Sequence, residues 1–313
     1  MEKEKKKLKD KIGFRIAMVV FVACCVAVIF LTLYLFNGEI VSNVPDWFED
    51  SYAVETEKIE GRKVFIIKKY KETDSDSIIL YLHGGSYMAE LKQEHWLFFE
   101  GLLQDTNATL VVPDYPLTPK YNYKDVFTMM EPCYEKILEN EQDKTWIVMG
   151  DSAGGGLALA LLEKMGEKGR KMPDALFLLS PWLDTSMENQ KIDEVQSKDP
   201  MLSKPALKLA GEQYGRDIKE EDTYLVDPLY GPLQNLCPIV VFTGTADILN
   251  PDVAILEQRC KEAGTQITVK EYENAIHDFI LYSFVKEDVD FGKEGYQDIL
   301  EEMRQIREKK IEE

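Results

Sequence analysis

The sequence predicts an α/β chain built on a mostly parallel sheet with helices on both faces. Three observations predict it. Short β-rich runs alternate with helical patterns. Several of the runs are continuously apolar, as strands covered on both faces are. Glycine-rich turns follow directly after strands, where open parallel sheets place their chemistry. The β-rich runs are Arg62–Lys69, Ile78–Leu82, Thr109–Val112, Trp146–Met149, Ala175–Leu179, Ile239–Phe242 and Gln266–Glu271. Helical patterns cover Trp96–Leu103, Val126–Leu138, Leu157–Met165, Val253–Cys260 and Tyr296–Ile306. Residues 37–60 read as a juxtamembrane or cap segment with some helix around Trp47–Ser51. Residues 184–235, richer in polar residues, Gly and Pro, break the alternation and read as a cap insertion in a main domain over 61–313.

Composition narrows the function classes. The chain has 313 residues, 45% hydrophobic and 30% charged, which suits a globular protein. Its net charge of -19 is unevenly spread: residues 1–36 hold seven Lys/Arg and three Asp/Glu, leaving -23 on the remainder. A body that acidic repels phosphate backbones, so nucleic acid is not an expected partner. Of five cysteines, Cys24 and Cys25 sit in an apolar run, and Cys133, Cys237 and Cys260 are widely spaced, with no CxxC pair. The three histidines, His83, His95 and His277, form no HExxH. Neither a disulfide scaffold nor a protein-ligated metal is expected.

The first 36 residues predict a membrane anchor. A basic tail, residues 1–13, precedes a segment over 14–36 whose run from Ile16 to Phe36 is uncharged. As a helix that run spans roughly 31 Å, close to the hydrocarbon core of a bilayer. A cleaved leader has a shorter apolar region ending in small residues, and Phe36-Asn37-Gly38-Glu39 is a poor cleavage site. The expectation is therefore a single-pass protein held in a lipid bilayer by an uncleaved N-terminal helix. Its basic tail is then expected in the cytoplasm and its body on the extracytoplasmic side.

Two glycine-rich turns carry the chemistry. Trp146–Met149 leads into Gly150-Asp151-Ser152-Ala153-Gly154-Gly155-Gly156 and then a helix, which is G-x-S-x-G between strand and helix. There a serine sits on a turn too tight for flanking side chains, its hydroxyl lifted clear over a helix N-terminus that favours developing negative charge. A phosphate-binding loop would need GxGxxG or GxxxxGK[ST], and neither is present. Upstream, Ile78–Leu82 ends in His83-Gly84-Gly85, a turn whose amides can face a tetrahedral oxyanion. The expected oxyanion donors are Gly84, Gly85 and Ala153.

A serine nucleophile needs a base, and the base needs an orienting acid. The order for such a site is Ser, then Asp or Glu, then His. Only His277 follows Ser152, and Asp247 follows the late strand Ile239–Phe242. Asp252, inside the next helix, and Asp278, adjacent to the histidine itself, are weaker candidates for the acid. The expected triad is Ser152–Asp247–His277. His83 and His95 are expected to be structural. Tyr87, Trp182, Tyr214 and Phe279 are expected to line the substrate pocket.

Together these residues resemble the hormone-sensitive-lipase-like branch of the α/β-hydrolases, which includes bacterial acetyl esterases and arylacetamide deacetylases. The matching pieces are His83-Gly84-Gly85, Asp114-Tyr115-x-Leu117, Gly150-Asp151-Ser152-Ala153-Gly154-Gly155, Ser180-Pro181-Trp182-x-Asp184, Asp227-Pro228-Leu229, Gly244-x-x-Asp247-x-Leu249 and His277-x-Phe279, in family order over roughly 60–285. The resemblance implies an α/β-hydrolase fold with an eight-stranded, mostly parallel sheet, a cap, and carboxylester hydrolysis without a cofactor. Three positions depart from the pattern: Ser86 replaces a third glycine, Lys120 a glutamate, and Asp278 a glycine beside the histidine. The expected function is a serine carboxylesterase acting on short-to-medium acyl esters of small molecules, deacetylation included. Two other readings share these residues: a non-catalytic ligand-binding protein on this fold, and a peptidase or transacylase using the same triad.

Overall fold

The computed structural model describes residues 42–70, 75–140, 144–286 and 290–312. The expected anchor over 14–36 lies outside them. Among the described residues no helix is long and apolar enough to cross a membrane.

Eight strands form one sheet: β1 (Tyr52–Ile59), β2 (Arg62–Lys69), β3 (Ser77–Leu82), β4 (Ala108–Pro113), β5 (Thr145–Asp151), β6 (Ala175–Leu179), β7 (Ile239–Gly244) and β8 (Ile267–Tyr272). Their order is β1-β2-β4-β3-β5-β6-β7-β8. The β1–β2 and β2–β4 pairs are antiparallel and the rest parallel. The central strands β3, β5, β6 and β7 are buried at every position, so their sequences are apolar on both faces. Alternate residues feed two separate cores. Ile78, Leu80 and Leu82 of β3 join one layer, while Ile79 and Tyr81 join the other.

The first layer holds α3 (Tyr123–Asn140), α4 (Ser152–Glu167) and α7 (Asn250–Ala263). The second holds α2 (Gln93–Asp105), the short α8 (Phe279–Tyr282) and the C-terminal α9 (Asp290–Glu312). Leu157 to Leu162 of α4 are all 0% exposed. A helix apolar all round must be covered all round. The sheet lies on one side of it. On the other lies the connection from β6 to β7, with α5 (Lys191–Val195), α6 (Lys204–Tyr214) and 3₁₀ turns at Glu220–Leu225 and Pro228–Tyr230. That connection contains the stretch expected as an insertion, and Leu207, Tyr214, Leu225 and Leu229 pack into the α4 layer.

The segment 37–60 departs from its expected role as a link. After α1 (Asp46–Glu49) it supplies β1, so the sheet begins at Tyr52, ahead of the expected domain start at 61. Ile59 pairs with Arg62 around Glu60 (φ 48°) and Gly61 (φ 77°), a two-residue hairpin with both central residues left-handed. An edge strand shows little hydrophobic pattern; here only Tyr52 is fully buried.

Beside this hairpin Arg62 reaches across β2 and β4. Its Nε donates to the Asp114 carbonyl at 2.9 Å and its Nη2 to Asp114 Oδ2 at 3.2 Å. Asp114 Oδ1 accepts the Ser42 amide at 2.9 Å. Arg62 is 7% exposed and Asp114 0%. Removing one member of such a pair strands the other in low dielectric. Asp114→Ala is therefore expected to cost roughly 3–5 kcal/mol in urea unfolding. A loss within experimental error of zero would show that water reaches the guanidinium.

Candidate active site

Strand β5 ends at Asp151, and the chain turns at once into α4 through Ser152, whose φ is +49°. A non-glycine residue pays for this left-handed backbone in strain, and the surroundings must hold it there. The holding is visible: the Ser152 carbonyl accepts the Trp182 amide at 2.8 Å. Close backbone approach does the rest. A Cβ on Gly154 would lie 2.0 Å from the Leu82 carbonyl oxygen, and one on Gly84 would lie 2.2 Å from Asp151 Oδ2 and 3.0 Å from Ser152 Cβ. The end of β3 and the start of α4 therefore touch, laying the Gly84–Gly85 turn against Ser152. Ala153, at 0% exposure, follows in the first turn of α4.

The loops after β7 and β8 complete the group. His277 Nε2 is 3.0 Å from Ser152 Oγ, and His277 Nδ1 is 2.8 Å from Asp247 Oδ2. Asp247 Oδ1 accepts the Leu249 amide at 2.9 Å. The tautomer that fits an ionised Asp247 carries its proton on Nδ1 and leaves Nε2 facing the serine. The structure brings Ser152, Asp247 and His277 together from sites far apart in sequence. Asp252, the weaker alternative acid, binds Asn189 Nδ2 instead.

Asp278, the other weaker candidate, contacts the opposite nitrogen: its Oδ2 lies 3.2 Å from His277 Nε2. Burial works against a charged imidazole here. The carboxylates of Asp278 and Asp247 outweigh that and hold the His277 pKa well above its ordinary value.

Behind the serine lies a buried network that sequence reasoning missed. Asp151 Oδ1 accepts the Tyr81 hydroxyl at 2.7 Å, and Oδ2 lies 3.3 Å from His95 Nε2. His95 Nδ1 accepts the Lys92 amide at 3.0 Å, so its proton is on the Nε2 that faces Asp151. Burial disfavours charge on Asp151, yet His95 and the Tyr81 hydroxyl hold its carboxyl below the ordinary range. The only signal in sequence was an acidic residue beside the serine in a motif otherwise made of small residues.

His83 supports the glycine turn. Its Nδ1 lies 2.7 Å from the Gly84 carbonyl and its ring stacks on Tyr115 at 4.4 Å. The Tyr115 hydroxyl donates to the His83 carbonyl at 2.5 Å. Burial drives the His83 pKa down to about 4, so the ring stays neutral at physiological pH. The four expected pocket aromatics do not form one wall. Tyr87 stacks on Tyr214 at 3.6 Å and lies 5.7 Å from Trp182, all within the α4 layer. Phe279 belongs to the other core and packs on Tyr272 at 4.9 Å. Phe279 opens α8, which packs into that core.

Comparison with known proteins is consistent with this geometry. A family described as having the alpha/beta hydrolase fold matches residues 79–281. An esterase of Acinetobacter venetianus is 27% identical over 213 residues, covering 68% of this chain and 70% of that protein. An acetyl-hydrolase of Streptomyces hygroscopicus is 29% identical over 202 residues, covering 64% of this chain and 67% of that protein. Among solved structures, an esterase from the bacterial hormone-sensitive lipase family superposes with a TM-score of 0.75 at 24% identity, over 85% of this chain and 87% of that one. At that identity the likeness is one of fold.

The close approach of β3 to α4 has a measurable cost. Gly154→Ala is expected to destabilise by about 2–3 kcal/mol, because the obstructing atom is backbone. Gly169→Ala, at φ +65° with no atom within 4 Å of the new Cβ, is expected to cost about 1 kcal/mol. Urea midpoints compare the two. Equal costs would mean that the turn has room to spare.

Proposed function

The chain belongs to the α/β-hydrolase fold family, and we propose that it is a serine carboxylesterase acting on short-to-medium acyl esters. The observation that carries the proposal is the imidazole of His277, bonded at one nitrogen to Asp247 and within 3.0 Å of Ser152 Oγ at the other. The kinship with proteins named esterase and acetyl-hydrolase supports the same reading.

In the proposed mechanism Ser152 Oγ attacks the ester carbonyl carbon while His277 Nε2 takes its proton. Negative charge gathers on the former carbonyl oxygen, where the amides of Gly84, Gly85 and Ala153 stabilise it. A single such donor is worth about 3 kcal/mol in acyl transfer. The tetrahedral species collapses, the C–O bond to the alcohol breaks, and His277 returns the proton to the departing oxygen. Water then enters, gives its proton to His277 and attacks the acyl carbon, which releases the acid and regenerates Ser152. Asp247 keeps Nδ1 protonated and offsets the imidazolium charge throughout. The strained turn serves this sequence because the hydroxyl needs no rearrangement to reach the carbonyl.

The proposal extends to where the enzyme works. The basic tail of residues 1–13 and the uncharged run Ile16–Phe36 support an anchored enzyme whose body faces away from the cytoplasm. A protease confined to the cytoplasmic face would then leave the body, extracellular or lumenal, untouched; its degradation from that face would place it in the cytoplasm.

Ser152→Ala is expected to lower p-nitrophenyl acetate hydrolysis by roughly 10⁵-fold with the fold retained. Its labelling by a fluorophosphonate should vanish. Undiminished turnover by that variant would end the nucleophile assignment. Across p-nitrophenyl esters from acetyl to decanoyl, kcat/KM is expected to peak in the shorter half of the series. A maximum at decanoyl would instead indicate long-chain substrates.

A further inference from the structure

Asp278 does something to His277 that the proposed mechanism does not use. Its Oδ2 sits 3.2 Å from Nε2, the nitrogen that must accept the Ser152 proton. Its other oxygen, Oδ1, is buried without a hydrogen-bond partner, so the side chain's polar engagement is with the histidine. The backbone beneath is firmly placed. Asp278 has φ +51°, its amide donates to Ser180 Oγ at 3.1 Å, and its carbonyl accepts the Tyr282 amide at 3.1 Å. The carboxyl is thus held against the ring by the chain itself.

With Nδ1–H committed to Asp247, a neutral imidazole presents a lone pair at Nε2. A lone pair and an ionised carboxylate oxygen 3.2 Å apart repel, and a proton on Nε2 turns that repulsion into attraction. The contact therefore favours Nε2–H beside the ionised carboxylate, and in that form the lone pair that Ser152 needs is occupied.

We propose that Asp278 is a positioning residue that gates the base: its carboxylate holds a proton on His277 Nε2 in the resting site, and Ser152 is activated only after that proton leaves. Two acceptors, Ser152 Oγ and Asp278 Oδ2, compete for one nitrogen. Deprotonation decides between them, because the ionised carboxylate is then repelled by the lone pair while the serine O–H is attracted to it. The neighbouring carboxylates act in the same sense. The titratable groups facing this pair are Asp247 from the loop after β7, Asp151 at the end of β5, Tyr81 of β3, His95 of α2 and Tyr282 of α8. Asp247 and Asp151 raise the proton affinity of the pair. Burial raises the Asp278 pKa, with His277 opposing it. The imidazole is likewise held well above its ordinary pKa by the two flanking carboxylates, against the effect of burial. A base with a raised pKa is protonated below it and free above it, so the activity is displaced to alkaline pH.

The inference rests on Ser152 and His277 acting as proposed above, and the test separates the two. The pH dependence of kcat/KM for p-nitrophenyl acetate is measured on the full chain, on Asp278→Asn and on Asp278→Gly. Both replacements tolerate φ near +50°. The midpoint of the acid limb is expected to fall by roughly one to two pH units in both. A merely structural role would scale the profile without moving it. In parallel, long-range ¹H–¹⁵N NMR is expected to show Nε2 of His277 protonated at pH 7 in the wild type and titrating lower in both variants. Coincident midpoints, or a bare Nε2 at pH 7 in the wild type, overturn the gate. Full turnover by Ser152→Ala would instead remove the esterase reading and leave the NMR titration to decide the gate alone.

Discussion

No side chain fits between the end of β3 and the start of α4, and the rest of the site depends on that exclusion. The Gly154 Cα rests against the Leu82 carbonyl, and Gly84 rests against Asp151 and Ser152. This contact aligns two turns that leave neighbouring strands of the sheet, β3 and β5, in the same direction. One turn offers backbone amides and the other a hydroxyl. Parallel pairing brings both to the carboxyl end of the sheet, and the absence of Cβ atoms brings them within bonding range. His277 and Asp247 arrive at the same end because β7 and β8 run parallel to β5. Strand direction thus accounts for the position of every member of the group.

The electrostatics of the site are those of carboxylates shared among imidazoles. Asp151 faces His95, while Asp247 and Asp278 face the two nitrogens of His277. All are buried or nearly so, and in such surroundings a carboxylate survives as an ion only where donors reach it. Asp151 has Tyr81 and His95, and Asp247 has the Leu249 amide and His277. Asp278 has less, with one oxygen unpartnered, and its proton affinity rises accordingly. The neutral His83, stacked on Tyr115 and held to its own turn, adds no charge beside the Gly84–Gly85 turn.

Much of this is legible in the sequence. The buried strands announce themselves because both faces must be apolar, and β6 matches its sequence expectation residue for residue. The glycines around Ser152 are legible because close packing leaves glycine as the residue that fits. What escaped was set by neighbours distant in sequence. β1 is a half-exposed edge strand whose pairing with β2, not its own pattern, makes it a strand. The Asp151–His95 contact joins residues with no common motif. Asp278 looked like a poor acid for lying next to the histidine, and the left-handed turn at that position is what sends its carboxyl to the far nitrogen. The same turn starts the short helix that carries Phe279 into the opposite core.

Ser42 is tied down three ways: its amide to Asp114, its hydroxyl to the Leu91 amide at 3.1 Å, and its carbonyl to Lys63 Nζ at 3.2 Å. Mechanical load entering the backbone ahead of residue 42 meets this rivet before it meets the hairpin or the sheet. The rivet passes part of that load to Leu91, a few residues beyond the glycine turn at Gly84 and Gly85. A pull at Ser42 is thus divided among three partners, while Ser152 is held separately at the start of α4.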